Sequence, residues 1–418
     1  MIVLHVLMLM GLLYYFSKEI DKADKELYWL AWLFRISMSV SLGLIYKYYY
    51  TANDTWHFFE DATKLSAVAR DNLITYLQVL FTNQPDPEVV QTLFYAQERS
   101  LFLVKCISFF ALISGDNYWA CAMYMATLAF GASWYLFKTI CTYFEHAKFA
   151  AALSFLFFPS VVFWSSGLVK ETLALAGILV ISAVFTRFIN GGKVTVLQVI
   201  LCVVAGWVAW NLKYYWTALF LVSILTTLIV FLVGRKIALL KTYWPLAWGL
   251  VFAIIGIVAT RLHPNFYIER LLEVIISNHQ AFVKISKPEG LIHFYNLQPT
   301  WWSIVMNTPL AIISGFFRPW LGEANGLTSI MAALENLVLA VLCISACFRK
   351  TWKTTDGLVI MAVVVYVLLE CVLMAISSPN LGTLSRYRVG FLPFFVFLIS
   401  YGNPLIGKIR LLAWHRHK

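Results

Sequence analysis

YYYTANDTWHFFEDATKL, residues 48–65, is where a hydrophobic run meets water. Three tyrosines close an apolar segment, and Asp54, His57, Glu60 and Asp61 follow at once. Aromatic residues gather at membrane–water interfaces, and ionisable ones avoid hydrocarbon. The stretch therefore reads as the outer mouth of a transmembrane helix, with an acidic segment just beyond it. On this reading the chain is an all-α polytopic membrane protein.

Composition points the same way. Of 418 residues, 61% are hydrophobic and 13% charged, whereas a soluble domain is about 25% charged. Hydropathy predicts about 11 transmembrane helices, at roughly 2–16, 28–50, 117–140, 148–166, 172–188, 194–211, 214–234, 243–262, 327–347, 357–376 and 387–404. The first run, Ile2 to Phe16, lacks a basic start and a small-residue cleavage site, so it reads as a retained span. No separate soluble domain is visible, and 1–418 reads as a single integral membrane domain. The net charge of +11 does not imply nucleic acid, because the cations sit in short loops between spans.

One set of short loops carries Lys18, Lys22, Lys25, Lys148, Arg187, Lys193, Arg235, Lys236, Lys241, Arg349, Lys350, Lys353 and the tail residues Lys408, Arg410, Arg416 and Lys418. The opposite loops carry Lys170, Lys213, Arg386 and Arg388. The first set is expected in the cytoplasm. Two long loops, 51–116 and 263–326, then face outward. For a bacterial chain, which the size and style suggest, that side is the periplasm and the membrane is the inner one. Within the first loop, Phe58, Phe59, Ala62, Leu65, Ala69, Leu73, Tyr76, Leu77 and Leu80 recur at helical spacing, so 58–80 is expected to lie along the interface. Residues 101–114 form either a second interfacial helix or a crossing, and 303–317 is open in the same way.

Four segments carry candidate chemistry. Asp54 can act as a general base at the membrane surface, with His57 on the same helical face and Glu60 and Asp61 one to two turns on. The competing role is a helix cap by Asn53 or Asp54. In FPSVVFWSSGLVKETLAL, residues 158–175, two spans meet and Lys170 and Glu171 fall at the external face. They mark a site or simply cap the next helix. In FFRPWLGEANG, residues 316–326, Arg318 suits a phosphate oxygen and Glu323 stands near it; the alternative is a loop anchor. In SSPNLGTLSRYRVGFLPF, residues 377–394, Arg386 and Arg388 flank Tyr387 where cations are scarce, as a phosphate clamp or as partners of Glu323 or Glu370. Arg35, Lys138, Glu335 and Glu370 within spans read as ties between helices, with Glu335 and Glu370 alternatively as proton-relay groups of a transporter. His263, His279 and His293 lack metal-ligand spacing, as do Cys343 and Cys347.

Together these pieces resemble the GT-C superfamily of integral membrane glycosyltransferases, which use polyprenyl-phosphate sugars. The resemblance rests on the acid in NDTWHFFEDATKL, the span ending FPSVVFWSSGLVKE, and the late SRYRVGFLPF. It implies an inverting transfer in the periplasm from a polyprenyl-phosphate sugar to a glycan, lipid or protein acceptor. Asp54 or Glu171 would be the catalytic acid. His57, Glu60, Asp61, Lys170, Arg318, Glu323, Arg386, Tyr387 and Arg388 would bind substrate. It implies no cofactor beyond the donor, no metal, and no partner besides the bilayer, donor and acceptor. The chain departs from the pattern in lacking an Asp-x-Asp pair and a C-terminal soluble domain. Two other readings stay open: a polymerase or ligase of polyprenyl-linked glycans, and a transporter or flippase for them.

Overall fold

The computed structural model describes residues 2–82, 87–237, 242–261, 264–349 and 357–407. Lys241, His263, Lys350, Lys353 and the four tail cations lie outside them. The described chain is helical throughout, with an antiparallel bridge between Leu291 and Asn380 as its only β pairing among the described residues. It divides into two compact units. The first comprises 1–138, 155–184 and 194–214, and the second 139–154, 185–193 and 215–418.

Among the described residues six helices are long and apolar enough to cross a bilayer: Lys22–Tyr48, Tyr118–Tyr143, Lys170–Ile189, Val196–Gly234, Leu327–Ala346 and Gly357–Ser377. The chain is thus an all-α protein with the helices of a multi-pass membrane protein. Ile2–Ser17 and Trp244–Ala259 form helices where spans are expected, but each has only 16 residues, about 24 Å. The predicted pair at 194–211 and 214–234 is one 39-residue helical run, broken at Lys213 (φ −142°, ψ 67°).

Three expected elements are built differently. The segment 148–166 is no continuous helix: Lys148–Ala152 leads into a π-helical turn, Leu153–Phe157, and then into Pro159–Trp164. Pro159 lacks an N–H and holds Phe158 extended (ψ 118°). The segment 387–404 also breaks up, into Leu381–Tyr387, a 3-10 turn at Arg388–Gly390, and Leu392–Ser400. That last helix has 9 residues, about 14 Å. Gly390 lies flat against Trp216, whose ring atoms would stand 2.6 Å from any added Cβ. Finally, the interfacial helix 58–80 is two helices, Asp54–Asp71 and Leu73–Phe81. Asn72 separates them, its Oδ1 accepting the N–H groups of Ile74 and Thr75 at 3.0 and 3.1 Å.

The Asp54–Asp71 helix lies against Glu98–Ser114 more extensively than any other pair for which packing is described. Phe58, Ala62 and Leu65 on the first helix and Leu103, Val104, Ile107 and Ala111 on the second are all buried. The second helix, whose crossing the sequence left open, turns its apolar face onto protein. Ser66 and Arg70 tie the end of the first helix to Asp116, which turns the chain with a left-handed backbone (φ 55°). In the second unit Trp301–Phe317 packs on Gly357–Ser377, while Trp302, Val305 and Met306 are exposed.

The charges inside apolar segments mostly tie helices. Arg35, 1% exposed, donates to Ser165 O and Oγ and to Ser133 Oγ at 2.9–3.1 Å. Lys138 bridges Asp24 and Asp21. Cys347 donates only to Cys343 O within its own helix, and His279 pairs with Ile376 O.

Candidate functional site

Asp54 opens the Asp54–Asp71 helix, where the N-terminal end of the helix dipole favours a carboxylate. The residue before it, Asn53, adopts a left-handed backbone (φ 45°), and its side chain forms no capping bond. Asp54 is half-buried, and its Oδ1 accepts the phenol O–H of Tyr95 at 3.1 Å. Next along, His57 Nδ1 stands 3.2 Å from Glu60 Oε2, and the imidazole stacks on Phe94. Glu60 is exposed.

Asp61, expected to bind substrate, is fully enclosed. Its Oδ1 accepts the Phe94 N–H at 3.0 Å and Lys64 Nζ at 3.0 Å, and its Oδ2 accepts the Tyr95 N–H at 2.8 Å. Lys64 also donates to Thr92 O at 2.7 Å. A buried carboxylate bonded in this way is satisfied by backbone and has nothing to offer a ligand. Its effect is to clamp residues 92–95 onto the acidic helix. The clamp sets Tyr95 where its hydroxyl meets Asp54 and its ring stacks on Phe58 at 4.1 Å.

Lys170 and Glu171 begin the Lys170–Ile189 helix and diverge. Lys170 Nζ donates to Ser100 Oγ at 2.8 Å and lies 5.7 Å above the Phe58 ring. Glu171, expected as a catalytic acid, is wholly buried with Lys213 Nζ 2.7 Å from its Oε1. That placement seals the carboxylate against an ammonium. Lys213 sits at the break in the long helix, so one carboxylate–ammonium contact holds two helices at that break. Arg99, beside Ser100, is exposed, with its guanidinium 5.1 Å from the centre of the Tyr214 ring. Among the described residues no carboxylate lies within ion-pair distance of Arg99.

The second unit holds the remaining candidates, and two of its arginines are already engaged. Arg318 forks onto Glu323, with Nε to Oε2 at 3.0 Å and Nη2 to Oε1 at 2.6 Å. The Trp320 N–H adds a third bond to that carboxylate at 2.9 Å. Burial raises the Glu323 carboxyl, but the Arg318 and Trp320 hydrogen bonds and the Arg318 charge outweigh it, leaving it below its ordinary value. Arg388 is fully buried, donating Nη1 to Asn336 Oδ1 at 2.6 Å and Nη2 to Glu335 Oε1 at 3.2 Å. Arg388, expected in a phosphate clamp, thus ties its segment to Glu335 and Asn336. Arg386 and Tyr387 are half-buried on the helix before it, Tyr387 meeting Phe282 edge-on at 6.5 Å. Glu370 is buried. Among the described residues no three or more His, Cys, Asp and Glu side chains converge on a metal position.

The first unit therefore gathers Asp54, His57, Glu60 and Lys170 around Phe58 and Tyr95, and leaves Glu171 inside. Sequence reasoning misses Tyr95, Phe94 and Arg99. Arg99 carries one signal: it has no acid three or four residues away on either side. Tyr95 carries none, because only the Asp61 clamp brings it to Asp54. No family model matches the chain, and no curated protein or solved structure matches it.

Proposed function

We propose that the chain is an inverting glycosyltransferase, moving a sugar from a polyprenyl-phosphate donor to an acceptor hydroxyl at the outer surface of the bacterial inner membrane. What supports this reading most is the Asp54–Tyr95–Phe58–Lys170 line: a carboxylate at the mouth of a membrane helix, joined through two stacked rings to an ammonium. In the proposed step the acceptor O–H gives its proton to Asp54 and the oxygen attacks the anomeric carbon. The anomeric carbon–oxygen bond to phosphate breaks, and its electron pair leaves on the polyprenyl phosphate. Lys170 and Arg99 stabilise that charge. With Arg318 and Arg388 neutralised by their own partners, these two cations take the role that the resemblance gave to the late arginines.

A second reading draws on the breaks. The helical run Val196–Gly234 opens at Lys213, beside the buried Glu171, and interrupted helices with inward charge are the architecture of transporters. The same host experiment separates the two. Glycans and lipid carriers are profiled in wild type, a deletion, and Asp54→Asn at matched protein level. The transferase reading expects the deletion and Asp54→Asn to lose the same sugar while its polyprenyl-phosphate donor accumulates. Complete lipid-linked glycans stranded in the deletion, with Asp54→Asn like wild type, would instead establish transport or polymerisation.

A further inference from the structure

We infer that Phe94, His57 and Glu60 form the acceptor subsite, and that the acceptor is a sugar ring; the word acceptor rests on the transferase reading above, the sugar site does not. Phe94 is 69% exposed, yet its backbone N–H is held by Asp61 Oδ1 at 3.0 Å. Buried Asp61 binds the N–H groups of Phe94 and Tyr95, and Lys64 binds both Asp61 and Thr92 O. A large apolar side chain left exposed on a fixed backbone has met its ordering cost before any ligand arrives.

The chemistry around that ring selects the ligand. One face of Phe94 is covered by the His57 imidazole, with centroids 4.9 Å apart and planes at 24°, and the edge of Tyr95 closes one side. The exposed face is a flat apolar surface one pyranose wide. Beside it stand an imidazole and the Glu60 carboxylate, which is 61% exposed. A sugar presents a C–H face and a rim of hydroxyls, matching one aromatic surface and a few hydrogen-bonding groups at its edge. Charge argues against the other acceptors. The nearest cation on this helix, Lys64, is already bound to Asp61 and Thr92 O, and the exposed Glu60 carboxylate beside His57 disfavours a phosphate or an anionic lipid headgroup stacked on this ring. Phe94 and Tyr95 are neighbours in the chain, so a ring stacked on Phe94 brings its hydroxyls to the side where Tyr95 holds Asp54.

The test is saturation-transfer NMR on the full chain in lipid nanodiscs, using the methyl glycosides of glucose, galactose, mannose and N-acetylglucosamine as probes. At least one glycoside is expected to receive saturation on its C–H face with wild type. Phe94→Ala should weaken that binding roughly tenfold, and Glu60→Gln should weaken it less. Both substitutions are at exposed side chains, so the thermal midpoint should not move. No transfer to any glycoside, or equal transfer with Phe94→Ala, would overturn the subsite. Host glycan profiles keep the two claims apart. Sugar binding lost in Phe94→Ala with Asp54→Asn profiles unchanged removes the transferase and leaves the subsite. Profiles lost in Asp54→Asn with Phe94→Ala binding and profiles like wild type remove the subsite and leave the transferase.

Discussion

In the first unit the Asp54 carboxylate is held by a phenol and half-open, and Arg99 rests on an aromatic ring. In the second unit Arg388 is sealed between Glu335 and Asn336, and Arg318 is forked onto Glu323. The contrast separates two uses of charge in an apolar chain. A charge paired to its own opposite and shut away holds helices together and is invisible to a ligand. A charge held by neutral groups at the surface keeps most of its field for something else. The first unit contains the sealed kind as well: Glu171 is buried against Lys213.

Cutting that buried pair tests the contrast most severely. Glu171→Ala or Lys213→Ala leaves an uncompensated charge in a dry site, which costs about 3–5 kcal/mol. Either single variant should lower the thermal unfolding midpoint in detergent more than Asp61→Asn or Glu323→Gln does. The double variant Glu171→Leu with Lys213→Met should recover most of the loss, because an apolar pair of similar volume needs no desolvation. If instead Glu171→Ala is as stable as wild type, Glu171 is not a tie and returns as a candidate catalytic acid.

Asp61→Asn comes next in size. It exchanges a carboxylate bonded by two backbone N–H groups and an ammonium for a neutral amide, a loss of about 1.5–3 kcal/mol for bonds to a charged group. The effect should be local. Hydrogen exchange at the Phe94 and Tyr95 amides should accelerate while the core of Glu98–Ser114 keeps its protection. Uniform acceleration through both helices would mean that Asp61 supports the unit rather than the loop.

These two acids also mark what can be read in the sequence. The exit from the membrane at residues 48–54 is legible, because tyrosines followed by acids admit one physical interpretation. So is a helical segment at each apolar run, since period and hydropathy are local. Asp54 and Asp61 are the same residue type about two turns apart on one helix, and nothing nearby distinguishes a surface acid from a clamp. The difference is made by residues 92–95 docking about thirty positions on. Hydropathy stops at Glu171 and so points it to the surface, but its partner is Lys213, forty-two residues later. Asn72 and Pro159 do carry local signals for the breaks they cause, and a strong apolar pattern running across them hides both.

The smallest effect lies at the Arg318–Glu323 fork, where the side chains are 17% and 27% exposed. Solvent screens such a pair, so its worth is about 1 kcal/mol or less, but its direction with pH is well defined. The Glu323 carboxyl is held below its ordinary value of 4.5, burial opposing and the Arg318 and Trp320 contacts prevailing. A group with a depressed folded pKa binds its proton more weakly in the folded chain than in the unfolded one. Its contribution is therefore present above about pH 4.5 and is lost as the pH falls through the lower, folded value. Wild type should lose this increment on acidification and Glu323→Gln should not, so the gap between their unfolding midpoints should close as the pH drops below 4.5. A gap independent of pH would mean that the fork is held by shape and not by charge. Arg318 would then be available to an anion after all, and the contrast between the two units would weaken at this position.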